Sequence, residues 1–119
     1  MSRAELAMTF AASTVGWAKE RLELTTGEVG SALGANARTI KRWQECLSVP
    51  SSTHRRQLER LNQLKYLLET SFRSPEAAQQ WMHRPLPSLK GTTPLFAITD
   101  GELDEVISVL ATLAAGAHR

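Results

Sequence analysis

The stretch Thr26-Gly-Glu-Val-Gly-Ser-Ala-Leu-Gly-Ala-Asn-Ala-Arg-Thr-Ile-Lys-Arg-Trp43 constrains the fold of this chain more than any other. Val29 and Leu33, four apart, mark one apolar helical face, and Ile40 and Trp43, three apart, mark a second. Gly34 lies between them and supplies a backbone free to turn. Gly30 removes a side chain where a second helix would have to cross closely. The spacing predicts two short helices joined by a tight turn, a helix-turn-helix. Asn36, Arg38, Thr39, Lys41 and Arg42 then remain outward on the second helix. That donor-rich face suits phosphates and the base edges of duplex DNA. An ordinary helical hairpin with a solvated basic face shares the same spacing.

Charge is distributed unevenly. From Arg38 to Lys65 the basic residues Arg38, Lys41, Arg42, Arg55, Arg56, Arg60 and Lys65 meet only Glu45 and Glu59. From Gly91 onward Asp100, Glu102, Asp104 and Glu105 meet only Arg119. A net charge of +2 excludes a general polycation, so the basic middle and acidic end imply two different partners, one of them anionic. The 42% hydrophobic and 22% charged fractions match a folded globular chain rather than a disordered one. Cys46 is the single cysteine, which excludes an internal disulfide. No apolar run approaches the roughly 18 residues of a membrane span, and Glu5 and Thr9 interrupt any secretory signal pattern. A cytoplasmic protein is expected.

The pattern elsewhere is also helical. Leu6, Phe10, Val15, Ala18 and Leu22 predict one interrupted helix or two over 4–22, with Ser13-Thr14 a candidate second start. Thr25 and Glu28 form a capping-box pattern for the next helix, and Asn36 suits the cap of the one after. Residues 47–53, with Val49-Pro50, read as a linker. Leu58, Leu61, Leu64 or Lys65, and Leu68, widened by Tyr66 and Leu67, predict a long amphipathic helix from His54 to about Phe72. Ser74-Pro75 starts a helix to about Met82, and Pro85, Pro87 and Gly91 predict an irregular loop. Thr93-Pro94 starts a short helix through Ile98, and Asp100-Gly101 a turn in which Asp100 is positioned to cap the last helix. There Leu103, Val106, Ile107, Leu110, Leu113 and Ala114 form an apolar stripe, internal or at a homodimer seam. The expected fold is all-α, in two domains: 1–53, the helix-turn-helix for DNA, and 54–119, a helical module for a partner or for dimerisation.

On the DNA side, Arg38 and Arg42 share one face and have the shape that matches guanine's paired acceptors. Asn36 is expected to cap its helix or read adenine, and Lys41 to hold phosphate. Thr25 or Thr26, at the preceding helix start, is placed to donate to phosphate. Arg55, Arg56 and Arg60 either extend this surface or form a solvated helix face. One such module makes few base contacts, so specificity calls for a dimer or larger assembly.

The second half carries the more specific pattern. Trp81, Pro85, Leu89, Gly91, Thr93, Pro94, Leu95 and Gly101, in that order before an apolar helix, resemble the toxin-binding module of the Xre/MbcA/ParS antitoxin family. Val29, Gly30, Leu33, Gly34, Ile40, Arg42 and Trp43 resemble that family's Xre-type helix-turn-helix. The two together extend from about Ser13 to Ala117. The resemblance implies a type II antitoxin that silences a RES-domain toxin, an enzyme that depletes NAD, and that represses its own promoter as the toxin–antitoxin complex. It implies an Xre-type helix-turn-helix packed with a C-terminal toxin-binding module, as a homodimer within that complex. It also implies toxin contacts by Trp81, Pro85, Leu89, Gly91, Pro94 and Leu95, and by Gly116, His118 and Arg119, where family members reach toward the toxin's cleft. The recognition helix has no glutamine in its first turn, so no operator sequence is carried over from relatives.

Trp81 reads either as a core anchor or as an interface hot spot, and the proline loop as a pre-organised interface. His54, His83 and His118 are scattered, read as lone surface histidines, and share no metal-ligand spacing with a cysteine or carboxylate cluster. With no glycine-rich phosphate loop and no nucleophile elbow, no enzyme, cofactor or metal is expected. The alternatives to the antitoxin are a stand-alone repressor whose C-terminal half only dimerises and a protein-interaction adaptor whose helix-turn-helix no longer touches DNA.

Overall fold

The computed structural model describes residues 1–116, and every regular element among them is helical. The order is α1 (Arg3–Arg21), α2 (Thr26–Leu33), α3 (Ala37–Gln44), α4 (Ser52–Ser71), α5 (Pro75–Met82), a 3₁₀ turn (Pro87–Leu89), α6 (Pro94–Thr99) and α7 (Leu103–Gly116). The chain divides into two compact units, Met1–Glu59 and Arg60–Arg119, which part inside α4.

In the first unit α3 packs against both α1 and α2. Ala11, Val15 and Ala18 of α1, Val29 and Leu33 of α2, and Ile40 and Trp43 of α3 are buried, so the apolar spacings of the sequence do form the core. Helix α1 is continuous rather than interrupted. It starts with a capping box between Ser2 and Glu5, and Ser13-Thr14 lies in mid-helix with Thr14 buried. Keeping Ala11, Val15 and Ala18 on one stripe requires unbroken helix, and serine and threonine cost a helix interior only about 0.7 kcal/mol or less each. Leu6, expected on the apolar face, is exposed.

Helix α4 starts two residues before the expected His54. Pro50 restricts the residue before it, not those after, and the Ser51 hydroxyl accepts from the His54 N–H at 3.2 Å to begin the helix at once. In the second unit Leu61, Leu64 and Leu68 are buried, but Tyr66 is exposed and does not widen their stripe. Helix α5 packs on α6, and α7 on α6 and the 3₁₀ turn. Leu103, Val106, Ile107 and Leu110 of α7 are buried, whereas Leu113 stands exposed beyond them. Asp100 is the C-cap of α6 and does not cap α7. Gly101, at φ +83°, takes the left-handed position of the connection, and the Glu102 N–H returns to the Ala97 carbonyl at 2.8 Å.

Candidate functional site

The turn between α2 and α3 is built by two glycines with different tasks. Gly34 ends α2 at φ +71°, the left-handed conformation foreseen for it. Gly30 is needed for another reason than a crossing helix: a Cβ there would run into the carbonyl oxygen of Ala35, the backbone of the turn itself. The Ala35 N–H donates to the Gly30 carbonyl at 2.9 Å, which draws the turn onto α2.

Helix α3 then starts on Asn36, whose side-chain oxygen accepts from the Thr39 N–H at 2.8 Å. Capping uses that oxygen and leaves the amide NH₂ as a donor. Arg38, Lys41 and Arg42 are exposed and Thr39 is half-buried. Arg42 leans back, its guanidinium donating to the Leu47 carbonyl at 3.3 Å. Thr25 and Glu28 form the expected capping box, with the Glu28 N–H donating to the Thr25 hydroxyl at 3.1 Å. The Thr26 hydroxyl accepts from Lys19 at 2.9 Å. Both threonine hydroxyls act here as acceptors, so their O–H groups remain available to a phosphate.

Two side chains that hold this arrangement carried no sequence signal. The Lys19 ammonium bridges the Thr26 hydroxyl and, at 3.5 Å, the Gln44 side chain, joining α1 to the start of α2 and the end of α3. His54 is not a lone surface histidine. Its ring lies edge-on to Trp43 at 5.2 Å, and its Nε2 is 3.4 Å from the Gly34 carbonyl, a contact that requires the proton on Nε2. Only folding brings these partners together, since Lys19 and Gln44 are 25 residues apart and His54 and Gly34 are 20 apart.

In the second unit Ser74 caps α5 and Pro75 opens it, as the sequence predicts. The indole of Trp81 packs on Phe72 with ring centroids 5.9 Å apart, and Trp81 and Met82 are buried. The proline segment is more regular than its composition suggests. Pro87–Leu89 forms a 3₁₀ turn, and Lys90 and Gly91 follow at φ +58° and +82°. The Leu86 N–H donates to the Thr92 carbonyl at 3.0 Å and the Gly91 N–H to the Leu86 carbonyl at 2.9 Å, closing the loop. The Thr93 hydroxyl accepts from the Phe96 N–H at 3.1 Å to start α6, with Pro94 in its first turn.

This geometry separates the candidate partner contacts. Trp81, Leu89 and Pro94 are buried and shape the loop from beneath, Leu95 is half-buried, and Pro85, Gly91 and Gly116 are exposed. His118 and Arg119 lie outside the described residues. Phe96 of α6 and Leu113 of α7 are 55% and 48% exposed, which makes them the large apolar side chains this unit offers on those two helices. Phe96 was not among the expected contacts, because spacing alone does not tell which side of a six-residue helix is covered. Among the described residues no three His, Cys, Asp or Glu side chains gather as a metal site, and no helix is long and apolar enough to cross a membrane.

Residues 67–116 match the antitoxin Xre/MbcA/ParS C-terminal toxin-binding domain. Over 107 residues the chain is 33% identical to the mycobacterial cidal antitoxin MbcA of Mycobacterium tuberculosis and of Mycobacterium bovis, spanning 88% of this chain and 92% of each relative. The chain belongs to the Xre/MbcA/ParS antitoxin family. The crystal structure of the M. tuberculosis MbcT-MbcA toxin-antitoxin complex contains a chain of similar fold, with a TM-score of 0.54 at 33% identity over 88% of this chain and 94% of that one. The family's C-terminal domain thus runs here from the last turn of α4 to the end of α7, and the proline loop and α6 fall inside it.

Proposed function

We propose that this chain is the antitoxin of a type II toxin–antitoxin system. Its C-terminal module binds a cognate RES-type toxin and inhibits it sterically by closing the route of NAD to the cleft. Its N-terminal helix-turn-helix unit binds operator DNA as part of the complex, so that the pair represses its own promoter. The match of residues 67–116 to a toxin-binding domain carries this reading. The relative of similar fold comes from a complex of toxin and antitoxin, which supports the same division. In this reading the chain performs no chemistry of its own, works in the cytoplasm, and pairs as a homodimer within the larger assembly.

Exposed Pro85, Gly91 and Gly116 with half-buried Leu95 are the contacts proposed to meet the toxin directly. Buried Trp81, Leu89 and Pro94 hold that surface in shape. His118 and Arg119 complete the proposed set at the C-terminus. On the DNA side Arg38 and Arg42 read base edges, while Lys41, Thr25, Thr26, Thr39 and the Asn36 amide hold the phosphates and the helix start.

Co-expression with the protein encoded next to this chain, purification by a tag on that neighbour, and an assay of NAD loss test the proposal. A stable complex, with NAD lost only when this chain is absent, is the expected result. No complex and no NAD loss would leave a stand-alone repressor whose C-terminal half only dimerises.

A further inference from the structure

Arg55, Arg56 and Arg60 follow one another on α4, yet the structure treats them differently. Arg60 is engaged, its Nε 3.2 Å from the Asp104 carboxylate. Arg55 and Arg56 are exposed and, among the described residues, make neither an ion pair nor a side-chain hydrogen bond. They belong to the first compact unit with the helix-turn-helix, and Arg60 does not. Their neighbour His54 fixes where they start. It rests edge-on against Trp43 of α3 and reaches the Gly34 carbonyl in the turn that leads into α3. Leu58, one helical turn further on, is fully buried and holds the same side of α4 inward.

The first turn of α4 is therefore tied to the far end of α3 through Trp43 and, through Gly34, to the turn that leads into the N-terminal end of α3, the end that meets base edges in a helix-turn-helix. A major groove about 12 Å wide is walled on both sides by phosphates, so cations fixed beside its reading end face a strand of the backbone. Glu59 is the acidic residue closest to Arg55 and Arg56 in sequence, and Glu45 ends α3, so the local balance stays positive with Arg38, Lys41 and Arg42 added.

We infer that Arg55 and Arg56 are a phosphate clamp of the DNA-binding surface, held in register with the recognition helix by His54 as a positioning residue, and that Arg60 has no part in it. This rests on the DNA-binding reading proposed above. Phosphate contacts add affinity without sequence information and add steepness to its salt dependence.

The test uses the full chain, co-purified with the protein encoded beside it. The probes are a duplex from the promoter of its own gene and a scrambled duplex of equal length, titrated across a series of salt concentrations. R55Q/R56Q is expected to weaken both duplexes alike and to make the slope of log affinity against log salt shallower by about two for each copy bound, one for each phosphate contact, and so by about four for a homodimer. The preference for the promoter over the scrambled duplex stays within about twofold of wild type. R60Q leaves slope and affinity unchanged. H54A reproduces much of the shallower slope with both arginines present, and H54Q, whose amide NH₂ reaches as far as the imidazole Nε2, restores it. An unchanged slope for R55Q/R56Q in a wild-type-like fold overturns the clamp while leaving the DNA reading intact. Equal losses for H54A and H54Q, with a fall in thermal stability in both, overturn the positioning role. Wild-type protein that binds neither duplex at low salt removes the DNA reading, and the clamp with it.

Discussion

Gly30 and Gly34 show how two identical residues in one turn answer to different physics. At Gly34 there is open space but a φ of +71°, so Gly34→Ala meets backbone strain alone. The expected loss is about 1–2 kcal/mol, and Gly34→Asn recovers part of it because asparagine tolerates the left-handed region. At Gly30 the backbone is ordinary helix, but any Cβ collides with the Ala35 carbonyl. Gly30→Ala is expected to cost about 1–3 kcal/mol, as overpacking does, and no other side chain recovers it. Urea unfolding followed by Trp fluorescence checks both. Equal behaviour of asparagine and alanine at Gly34, or a neutral Gly30→Ala, contradicts this account. Both glycines stood out in the sequence, but the spacing of Gly30 pointed to a crossing helix. The contact is with the turn's own carbonyl, which becomes visible only when the turn is closed.

At the scale of elements, what was legible in the sequence is what acts locally. The caps at Thr25, Asn36, Ser74 and Thr93 all lie three residues from the N–H they accept, and each is present in the structure. Replacing Asn36 or Thr93 by alanine is therefore expected to cost about 1 kcal/mol in its own unit, read from chemical denaturation. A loss under about 0.3 kcal/mol in both would mean that tertiary packing alone holds α3 and α6. The unbroken course of α1, the 3₁₀ turn at Pro87–Leu89 and the outward Leu113 were less legible, since packing between elements decides them. The Arg60–Asp104 pair belongs to this class as well. Its side chains are 47% and 67% exposed, so Arg60→Ala is expected to change stability by no more than about 0.5 kcal/mol. A larger loss would assign the pair a structural role that its exposure argues against.

For the whole molecule, the sequence already separates a basic middle from an acidic end, and the structure places the exposed Arg38, Lys41 and Arg42 in one compact unit and the family's toxin-binding match wholly in the other. What neither element patterns nor charge counts disclosed was which apolar side chains the second unit leaves uncovered, because burial is set by contacts far apart in sequence. Exposed Phe96 and Leu113 give that unit apolar surface on α6 and α7, and Arg38, Lys41 and Arg42 give the first a group of exposed cations on α3, beside its own exposed Leu6, Leu47 and Val49. The two proposed activities should accordingly respond to different perturbations. Raising salt from 50 to 200 mM should weaken operator binding by about 10³-fold or more if the assembly makes six or more phosphate contacts. Toxin inhibition, resting on apolar burial, should be nearly unchanged over that range. Arg38→Ala with Arg42→Ala should abolish preference for the operator while NAD remains fully protected by the chain. Gel-shift titration and an NAD assay on the same preparations measure the two side by side. Parallel decline of both activities with salt, or loss of NAD protection in a folded Arg38/Arg42 double variant, would mean that one surface serves both partners and that the units do not divide the work.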